Sequence, residues 1–379
     1  MSHKPKSVLW ELDPHSKGKH LVLAQYLAGW IRIVGTGVHP LQIIDGFAGP
    51  GEYTNNADGS PVIMLQQALV APPPKSGKPV HFYFMEENAK RVAHLKELLE
   101  RRFPNLPPHV RYAVAQQEFT ALAHLPVVAA GNLVPSFIMI DPFGVSHTPM
   151  QVLNQLMQSR SCELYVSVML DYVARFSADP TWEVRLNELF GTTDWIRPRE
   201  DSTHELRRWY LQDLYEQQLR ANGAKYVISF NLWDAGVYKY TIFFATSHPR
   251  GCGLMKDSIW KALGSHEYIA PKSNGDPDQL SLPITESVGE RDPVAELAMH
   301  VVLAFNGTTA SVEQLDAWIE TDVNIYAPSQ LRSALKRLEA VNRLSVRAPE
   351  LFKRRAGTFP AGRGLAIDFS EDRKLSRVR

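Results

Sequence analysis

Four stretches of the sequence combine carboxylates, amides and glycines in patterns that suit the binding of a small molecule. The first runs from Ile43 to Gly51, where an apolar segment stops at Asp45 and Gly-Phe-Ala-Gly-Pro-Gly follows. Glycines allow a tight turn and a close approach of the backbone to a ligand, and a carboxylate can receive an ammonium group. The stretch lacks the third glycine of a dinucleotide-binding motif and the Gly-Lys-Ser/Thr of a phosphate-binding loop. A glycine turn that serves packing alone is the alternative interpretation.

The other three stretches also follow apolar segments. Glu86 ends the second segment, where a carboxylate can accept hydrogen bonds from both hydroxyls of a ribose; a solvated helix start is the alternative. Gln116 and Gln117 end the third, where an amide can pair with the edge of an adenine; a surface loop is the alternative. An Asp-Pro-Phe-Gly turn at Asp141 ends the fourth, and it can accept hydrogen bonds from an exocyclic amine while Phe143 stacks on a base. An ordinary Asp-Pro turn is the alternative here.

The elements that carry these stretches are predicted strands alternating with helices. The segment from Ser16 to Val34 has the apolar spacing of an amphipathic helix, and seven apolar segments of strand length follow it. This alternation predicts an α/β fold with a mostly parallel sheet and helices on both faces. The carboxyl ends of parallel strands meet at one edge, so the four stretches should lie together there. The last two strands are separated by a few residues around Asp234-Ala-Gly236 and are predicted to pair antiparallel.

Composition divides the chain into two domains. Residues 1–265 form the predicted α/β domain, with a helical insert at about 179–222. Residues 266–291 are rich in Pro, Gly, Ser and Asp and are predicted to be a linker. Residues 292–379 contain three predicted helices followed by a β-hairpin, which is the pattern of a winged-helix domain.

Charge is distributed unevenly along the chain. The totals are 41 Lys and Arg against 40 Asp and Glu, yet the part from Arg332 to the C-terminus has 13 basic and 5 acidic residues. Basic side chains on the third predicted helix and in the wing suit contact with nucleic-acid phosphates and the major groove. These side chains are Arg332, Lys336, Arg337, Lys353, Arg354 and Arg355. A winged helix used for protein contact, with solvated charges, is the alternative.

Three further basic residues in the first domain are candidates for substrate contact. Lys19 and His20 lie at the start of the first predicted helix, where they can face the crevice at the sheet edge. Arg175 follows the fifth predicted strand. An exposed polar helix start and a surface ion pair are the respective alternatives.

Several classes of protein and site lack support in the sequence. The chain has no apolar run of about 18 residues and no apolar signal segment, so a cytoplasmic location without membrane contact is expected. Two cysteines, Cys162 and Cys252, are too few for a disulfide framework. The 13 histidines show no metal-binding spacing, and no Gly-x-Ser-x-Gly elbow is present, so neither a metal site nor a hydrolase triad is predicted.

The order of the four stretches resembles S-adenosylmethionine-dependent methyltransferases, particularly amino-methylating enzymes with an Asn/Asp-Pro-Pro-Tyr/Phe turn. More closely, the chain resembles the bacterial three-Cys-motif partner proteins (TcmP), over most of residues 8–263. The residues that carry the resemblance are Trp10-Glu-Leu-Asp-Pro14, His15-Ser-Lys-Gly-Lys19-His20, Tyr26-Leu-x-x-Trp30, Asp45-Gly-Phe-Ala-Gly-Pro-Gly51, Asp141-Pro-Phe-Gly144, Phe190-Gly-Thr-Thr-x-Trp195, Phe244-Ala-Thr-Ser-His-Pro-Arg-Gly251 and Met255-Lys-Asp-Ser-Ile-Trp260.

The resemblance implies a Rossmann-like methyltransferase domain with S-adenosylmethionine as the cofactor. It also implies a radical-SAM-like partner protein with three cysteines, which would carry any metal cluster. The residues expected to bind the cofactor are Asp45, Phe47, Gly49 and Gly51 for the methionine part, Glu86 for the ribose, and Gln116 or Gln117 for the adenine. The residues expected at the reacting centre are Asp141, Pro142 and Phe143.

Two functions follow from these expectations. The first is a methyltransferase that acts on nucleic acid at an exocyclic amino group. Here Asp141 accepts a hydrogen bond from the target amine and Phe143 supplies an apolar wall. The second is a non-catalytic nucleic-acid-binding or scaffold subunit of the three-Cys partner, because Phe143 and Gly144 replace the second proline and the aromatic residue of the methyltransferase turn. A nuclease is a third interpretation, and it lacks a paired-carboxylate metal motif.

Overall fold

The computed structural model divides the chain into two compact units, residues 1–283 and 284–379. The structure describes residues 7–144, 147–176, 179–197, 203–234, 237–265, 267–270, 292–321 and 324–369. The predicted linker, 266–291, lies outside the described residues apart from 267–270. None of the described helices is long and apolar enough to cross a membrane.

The first unit is built on a mixed sheet of eight strands in the order β3-β2-β1-β4-β5-β7-β6-β8. The strands are β1 (Leu41–Asp45), β2 (Val80–Glu86), β3 (Val110–Gln116), β4 (Ser136–Ile140), β5 (Cys162–Val168), β6 (Tyr226–Asp234), β7 (Val237–Thr246) and β8 (Glu267–Ala270). Strands β1 to β5 are parallel, whereas β7 runs antiparallel to both of its neighbours, β5 and β6. The four chemistry-bearing strand ends therefore meet at one edge of the sheet.

Helices cover both faces of this sheet. The α-helices of the first unit are α1 (Pro14–Val34), α2 (Ser60–Val70), α3 (Ala89–Arg102), α4 (Pro126–Ala129), α5 (Met150–Met157), α6 (Leu170–Phe176), α7 (Glu183–Phe190), α8 (His204–Ala221) and α9 (Pro249–Leu263). One apolar core lies between the sheet and α1, α2, α3 and α9, and a second lies between the opposite face and α5 to α8. All residues of β4 and β5 are buried, as expected for central parallel strands.

Local signals explain where the helices nearest the edge begin. The Asn88 side chain accepts hydrogen bonds from the backbone N–H groups of Lys90 and Arg91 and so caps α3. Helix α1 begins at Pro14, two residues before the predicted start of the helix at Ser16, because proline is well suited to the first turn of a helix. Pro14 and the Asn88 cap thus set where α1 and α3 begin, next to the ends of the central strands.

Most elements of the predicted α/β domain are confirmed by the structure. The antiparallel pairing of β6 and β7 is as expected, and the remaining strands up to β5 form the expected parallel part of the sheet. Glu267–Ala270, within the predicted linker, forms β8 and pairs with β6. Residues 235 and 236, in the predicted turn between β6 and β7, lie outside the described residues.

The second unit contains three helices and a small antiparallel sheet. Its elements are α10 (Pro293–Phe305), β9 (Thr309–Ser311), α11 (Val312–Ile319), α12 (Leu331–Ala340), β10 (Ser345–Arg347) and β11 (Ala366–Asp368). The sheet order is β10-β11-β9, so a short strand not expected from the sequence joins the predicted hairpin. The winged-helix assignment stays a prediction.

Candidate functional site

The carboxyl edge of the sheet bears two adjoining cavities of about 70 and 110 Å³. The first lies between the glycine turn after β1, the start of α1 and the Asp-Pro-Phe turn after β4. The second lies between the ends of β2 and β3. Phe47 and Phe143 line both cavities, so these two rings mark the boundary between them.

The glycine turn gives the first cavity its backbone wall. Gly49 and Gly51 have φ angles of +61° and +84°, which favour glycine. A Cβ at Gly51 would lie 2.6 Å from Cδ1 of Leu95, so the turn packs closely against α3. A Cβ at Gly49 would instead point to within 3.6 Å of the Trp10 ring. At Gly49 and Gly51 the turn therefore presents only backbone to the cavity, beside the side chains of Ala48 and Pro50.

Asp45 lies beneath the turn and does not line either cavity among the described residues. Its side chain is fully buried, and Oδ1 accepts a hydrogen bond from the backbone N–H of Phe47 at 3.0 Å. Oδ2 has no hydrogen-bond partner among the described residues. Burial raises the pKa of Asp45 to about 7 against the opposing effects of the Ser60 hydroxyl and the Phe47 N–H, and the carboxylates of Asp141 and Glu86 add smaller increases. The structure therefore places Asp45 as a buried support of the turn.

The second cavity contains Glu86 and Gln117. Glu86 is buried, and its Oε1 accepts a hydrogen bond from the backbone N–H of Asn88 at 2.8 Å and lies 3.9 Å from Nη1 of Arg91. Gln117 lines the cavity beside Phe119. These side chains offer hydrogen-bonding groups and an apolar surface, as a nucleoside requires.

The structure separates the two glutamines that the sequence left as alternatives. Gln116 is exposed, and its Nε2 donates a hydrogen bond to the carbonyl of Glu87 at 3.3 Å. It does not line either described cavity, whereas Gln117 does. Gln116 is the last residue of β3 and Gln117 begins the turn that follows it, so the turn brings the second glutamine to the cavity.

An ion pair between Lys19 and Asp141 lies at the centre of the first cavity. The side chain of Lys19 is 7% exposed and that of Asp141 is 19% exposed, so the pair is largely shielded from water. Burial alone would raise the pKa of Asp141, but the ammonium of Lys19, with smaller contributions from Ser167 and His20, holds that pKa below its usual value. Asp141 is therefore an ionised acceptor near neutral pH.

His20, the neighbour of Lys19, does not line either cavity among the described residues. It is buried, with its ring 6.1 Å from that of Tyr53. Burial and then the Lys19 ammonium lower the pKa of His20 to about 3, against the effect of Asp141. His20 was predicted to contact the substrate. In the structure its imidazole is neutral and buried, and it lines neither described cavity.

Three aromatic residues of the first cavity were not predicted from the sequence. Trp10, Tyr53 and Tyr240 line it together with Phe143. Tyr240 lies on β7, far along the chain from the other residues, and its ring centroid is 5.5 Å from Nζ of Lys19. Trp10 belongs to a stretch that carried the family resemblance, which is the signal that could have found it.

Arg175 is not part of the cavities. It is exposed on α6, and its Nη2 lies 2.6 Å from Oδ2 of Asp171, one helical turn earlier. The alternative interpretation, a surface ion pair, describes this arginine. The substrate contact at Arg175 stays a prediction.

Half of the basic residues proposed for nucleic-acid contact are engaged in ion pairs within the second unit. Arg332 makes two hydrogen bonds of 2.7 Å with Asp316, and Arg337 pairs with Asp292. Arg354 makes hydrogen bonds of 2.7 and 2.6 Å with Glu339. These three arginines hold the helices and the loop before β11 together.

The remaining three basic residues, Lys336, Lys353 and Arg355, have exposed side chains. Residues 292–369 contain nine Lys and Arg and nine Asp and Glu in all. The basic excess counted from Arg332 therefore omits acidic residues of α10 and α11 that partly neutralise it.

Comparison with known proteins gave likenesses among solved structures only. No family model and no curated protein matches the chain. Trm1 from Pyrococcus horikoshii in complex with S-adenosyl-L-methionine is 12% identical, with a TM-score of 0.38, and covers 66% of this chain. The chain spans 60% of the length of that protein. The O-methyltransferase from Bacillus cereus in complex with SAH is 14% identical, with a TM-score of 0.32. The match covers 59% of this chain and 80% of the chain of that protein.

A third likeness is to a SAM-dependent methyltransferase from Agrobacterium tumefaciens, at 11% identity and a TM-score of 0.34. The match covers 58% of this chain and 61% of the chain of that protein. Likenesses of this size say nothing about the substrate. Among the described residues, no three His, Cys, Asp or Glu side chains converge as metal ligands would.

Asp45 should make the stability of the protein depend on pH. Because the pKa of Asp45 is about 7 in the folded state, against its ordinary value of 3.8, its contribution to stability is fully present below pH 3.8 and is lost as pH rises through 7. Relative to Asp45→Asn, the wild type should lose roughly 4 kcal/mol of unfolding free energy between pH 4 and pH 8, at 1.36 kcal/mol per pKa unit. Urea unfolding at several pH values measures this difference, and parallel pH profiles for the two proteins would contradict it.

Removal of Lys19 should destabilise the site through Asp141. In Lys19→Met the Asp141 carboxylate stays buried without its ammonium partner, at a cost of about 3 kcal/mol near neutral pH. The lowered pKa of Asp141 gives the wild type stability that is present above the unfolded pKa and lost as pH falls through the folded one, and this dependence should weaken in the variant. Lys19→Met/Asp141→Asn should lose less than the sum of the single variants. Additive losses in urea unfolding would show that the pair is not coupled.

Proposed function

We propose that the protein is an S-adenosylmethionine-dependent methyltransferase that modifies an exocyclic amino group of a nucleic acid. One observation carries this proposal: the glycine turn, Glu86, Gln117 and Asp141 meet along two adjoining cavities at the carboxyl edge of the sheet. Ligands of open α/β sheets bind at this edge. The cofactor is supported by Gly49 and Gly51, which line the first cavity with backbone alone.

The residues of the two cavities would divide the cofactor between them. The turn at Gly49 and Gly51, with Phe47, would hold the methionine part in the first cavity. Glu86 would accept hydrogen bonds from the ribose hydroxyls, and Gln117 would pair with the adenine edge, in the second. S-adenosylmethionine supplies, when bound, a methyl group on a positively charged sulfur.

The chain's own part in methyl transfer is to hold and orient the target amine. Lys19 engages Oδ2 of Asp141, so Oδ1 is the oxygen that would accept a hydrogen bond from the amine. This bond directs the nitrogen lone pair, and the ring of Phe143 excludes water beside it. Alignment of the two reactants supplies most of the rate in such a site.

An exposed tryptophan, Trp209, packs on the buried arginine Arg208 and supports nucleic acid as the substrate. The guanidinium of Arg208 lies 4.3 Å from the ring centroid of Tyr238, 5.3 Å from that of Trp233 and 5.4 Å from that of Trp209. Trp209 is 47% exposed. Tyr238 lies on β7, the strand whose Tyr240 lines the first cavity. Because exposed aromatic rings stack on unpaired bases, we propose Trp209 as a nucleic-acid contact of the first unit.

Further contacts to nucleic acid are proposed for the second unit. Lys336, Lys353 and Arg355 are its candidate phosphate contacts, because their side chains are exposed. In the proposed winged helix, Lys336 lies on the third helix and the other two lie in the wing. Arg332, Arg337 and Arg354 support the fold of this unit through their ion pairs.

The resemblance to three-Cys-motif partner proteins leads us to propose a radical-SAM-like partner with three cysteines. Both cysteines of this chain, Cys162 and Cys252, are buried. A metal cluster would therefore belong to the partner.

The Lys19–Asp141 ion pair favours a second candidate function. It engages the carboxylate at the point where the target amine would bind. Phe143 and Gly144 also depart from the methyltransferase turn. Under this candidate the protein retains the methyltransferase fold and binds nucleic acid as a non-catalytic subunit of the three-Cys partner.

Isothermal titration calorimetry tests the cofactor. We expect S-adenosylmethionine and S-adenosylhomocysteine to bind, and Glu86→Gln to weaken both at least tenfold, because a hydrogen bond to a charged acceptor contributes about 1.5–3 kcal/mol. Glu97→Gln, an exposed carboxylate on α3, is the matched control and should bind like the wild type. Absence of binding to the wild type would refute the proposed function.

Transfer of a labelled methyl group separates the two candidate functions. With labelled S-adenosylmethionine and host DNA, RNA and protein, we expect label in one nucleic acid. Asp141→Ala should lower this incorporation at least about a hundredfold while cofactor binding persists, because the amine loses its acceptor. If the wild type binds the cofactor, labels nothing and co-purifies with the partner, the non-catalytic subunit is correct.

A further inference from the structure

Arg208, on α8, is a buried arginine with an unpartnered hydrogen-bond donor. The residue is 5% exposed, and its Nη1 has no hydrogen-bond partner among the described residues. The indole Nε1 of Trp233, on β6, is likewise buried and unpartnered there, and the Arg208 guanidinium lies 5.3 Å from the centroid of this ring. Buried donors in folded proteins are almost always paired, so two unpartnered donors in one cluster indicate a place for an acceptor.

The positive charge of Arg208 also lacks a counter-ion. A guanidinium stays protonated at any pH at which proteins fold, and no described carboxylate forms an ion pair with this one. Two carboxylates of adjoining elements have other partners. Oδ2 of Asp171, on α6, lies 2.6 Å from Nη2 of Arg175, and Oδ2 of Asp234, on β6, lies 3.9 Å from Nζ of Lys239. The cluster therefore has a spare positive charge.

The aromatic rings around Arg208 stabilise its charge but do not neutralise it. The closest is Tyr238, with its centroid 4.3 Å from the guanidinium. Burial raises the pKa of Tyr238, against the opposing effects of the Thr241 hydroxyl and the Arg208 guanidinium, so the phenol is neutral. Cation–π contacts hold the guanidinium in place and leave its unpartnered Nη1 available to an anion.

The Arg208 cluster lies at the edge of the sheet that bears the two cavities. The register between β6 and β7 shifts at Leu232 and Trp233, so that Tyr238 and Tyr240 pack on opposite faces of the sheet. Tyr240 lines the first cavity, whereas Tyr238 faces Arg208. Two residues of a strand span about 7 Å, so the cavity and the cluster lie on either side of the start of β7.

We propose that Arg208 and Trp233 bind a backbone phosphate of the nucleic acid, and that Trp209 uncovers this site when it stacks on a base. A planar guanidinium matches the geometry of a phosphate, and the indole N–H supplies a second donor. The inference rests on nucleic acid as the proposed substrate. It assigns to the first unit a contact that positions the strand without reading its sequence.

Trp209 is the exposed member of the cluster and controls access in this proposal. Its ring centroid lies 5.4 Å from the guanidinium, and the residue is 47% exposed. Exposed side chains change rotamer rapidly, so the movement of one indole opens a path to the guanidinium. Stacking of this indole on a base and entry of the adjoining phosphate are then one event.

Thermal unfolding in inorganic phosphate, at constant ionic strength, tests the anion site by itself. A ligand that binds the folded state raises the Tm, so phosphate should stabilise the wild type more than chloride does. Arg208→Met should lose most of this rise. Trp233→Phe, which removes the N–H and keeps an aromatic ring, should lose part of it, and it carries the test if Arg208→Met does not fold. Equal rises in all three proteins would overturn the site.

Fluorescence anisotropy with a labelled single-stranded oligonucleotide tests the source of the phosphate. For single strands, each phosphate contact adds about 0.7 to the slope of log affinity against log salt concentration. Arg208→Met should therefore lower this slope by about 0.7. Trp209→Leu should weaken binding and leave the slope unchanged, because stacking on a base involves no charge.

Arg32→Met is the matched control for the loss of one positive charge. Arg32 is exposed in the last turn of α1, about 20 Å along the helix from Lys19 and thus far from the edge with the cavities. Its phosphate response and its salt slope should equal those of the wild type.

The two measurements separate this inference from the proposed function. A phosphate response that needs Arg208, without oligonucleotide binding by the wild type, would confirm an anion site but overturn nucleic acid as its ligand and as the proposed substrate. Oligonucleotide binding with equal slopes in the wild type and Arg208→Met would overturn the site and leave the proposed substrate in place. Loss of the phosphate response together with a lower slope supports the inference.

Discussion

The contact between Lys19 and Asp141 is the interaction on which the candidate site depends. It joins the first turns of α1 to the residue that follows β4, and the hydroxyl of Tyr165 on β5 donates a hydrogen bond to the Lys19 carbonyl at 3.0 Å. Further along α1, the hydroxyl of Tyr26 donates to the buried carboxylate of Glu163 at 2.5 Å. These polar contacts are directional, whereas apolar packing is not. They therefore fix the orientation of helix α1 against the central strands.

The fixed position of α1 explains how the Lys19–Asp141 pair can both keep Asp141 ionised and define the wall of the first cavity. Asp141 stays ionised although burial opposes it, because Lys19 is held in place by its helix and cannot turn towards water without leaving the carboxylate unpaired. The same restraint gives the first cavity a constant shape. In either candidate function, the position of α1 decides what can approach the carboxyl end of β4.

The sequence was informative where chemistry follows from position in a strand. Asp45, Glu86 and Asp141 were found because each ends an apolar run, and parallel strands bring such ends to one edge. The choice between Gln116 and Gln117 could not be made, because it depends on the face to which each side chain points at the strand end. Contacts between residues far apart in sequence were also inaccessible. Tyr240 reaches the first cavity only through the antiparallel course of β7.

The glycine turn and the segment before α1 are linked through the hydrogen bond from Thr54 to the Trp10 carbonyl. The conformational entropy of the segment is therefore part of the free energy of any binding event beneath the indole. A ligand that tightens this contact pays for ordering the segment, and a chain whose segment is already ordered binds the same ligand more strongly. Residues that do not contact the ligand can therefore change its affinity, because their loss of conformational entropy on binding is part of the binding free energy.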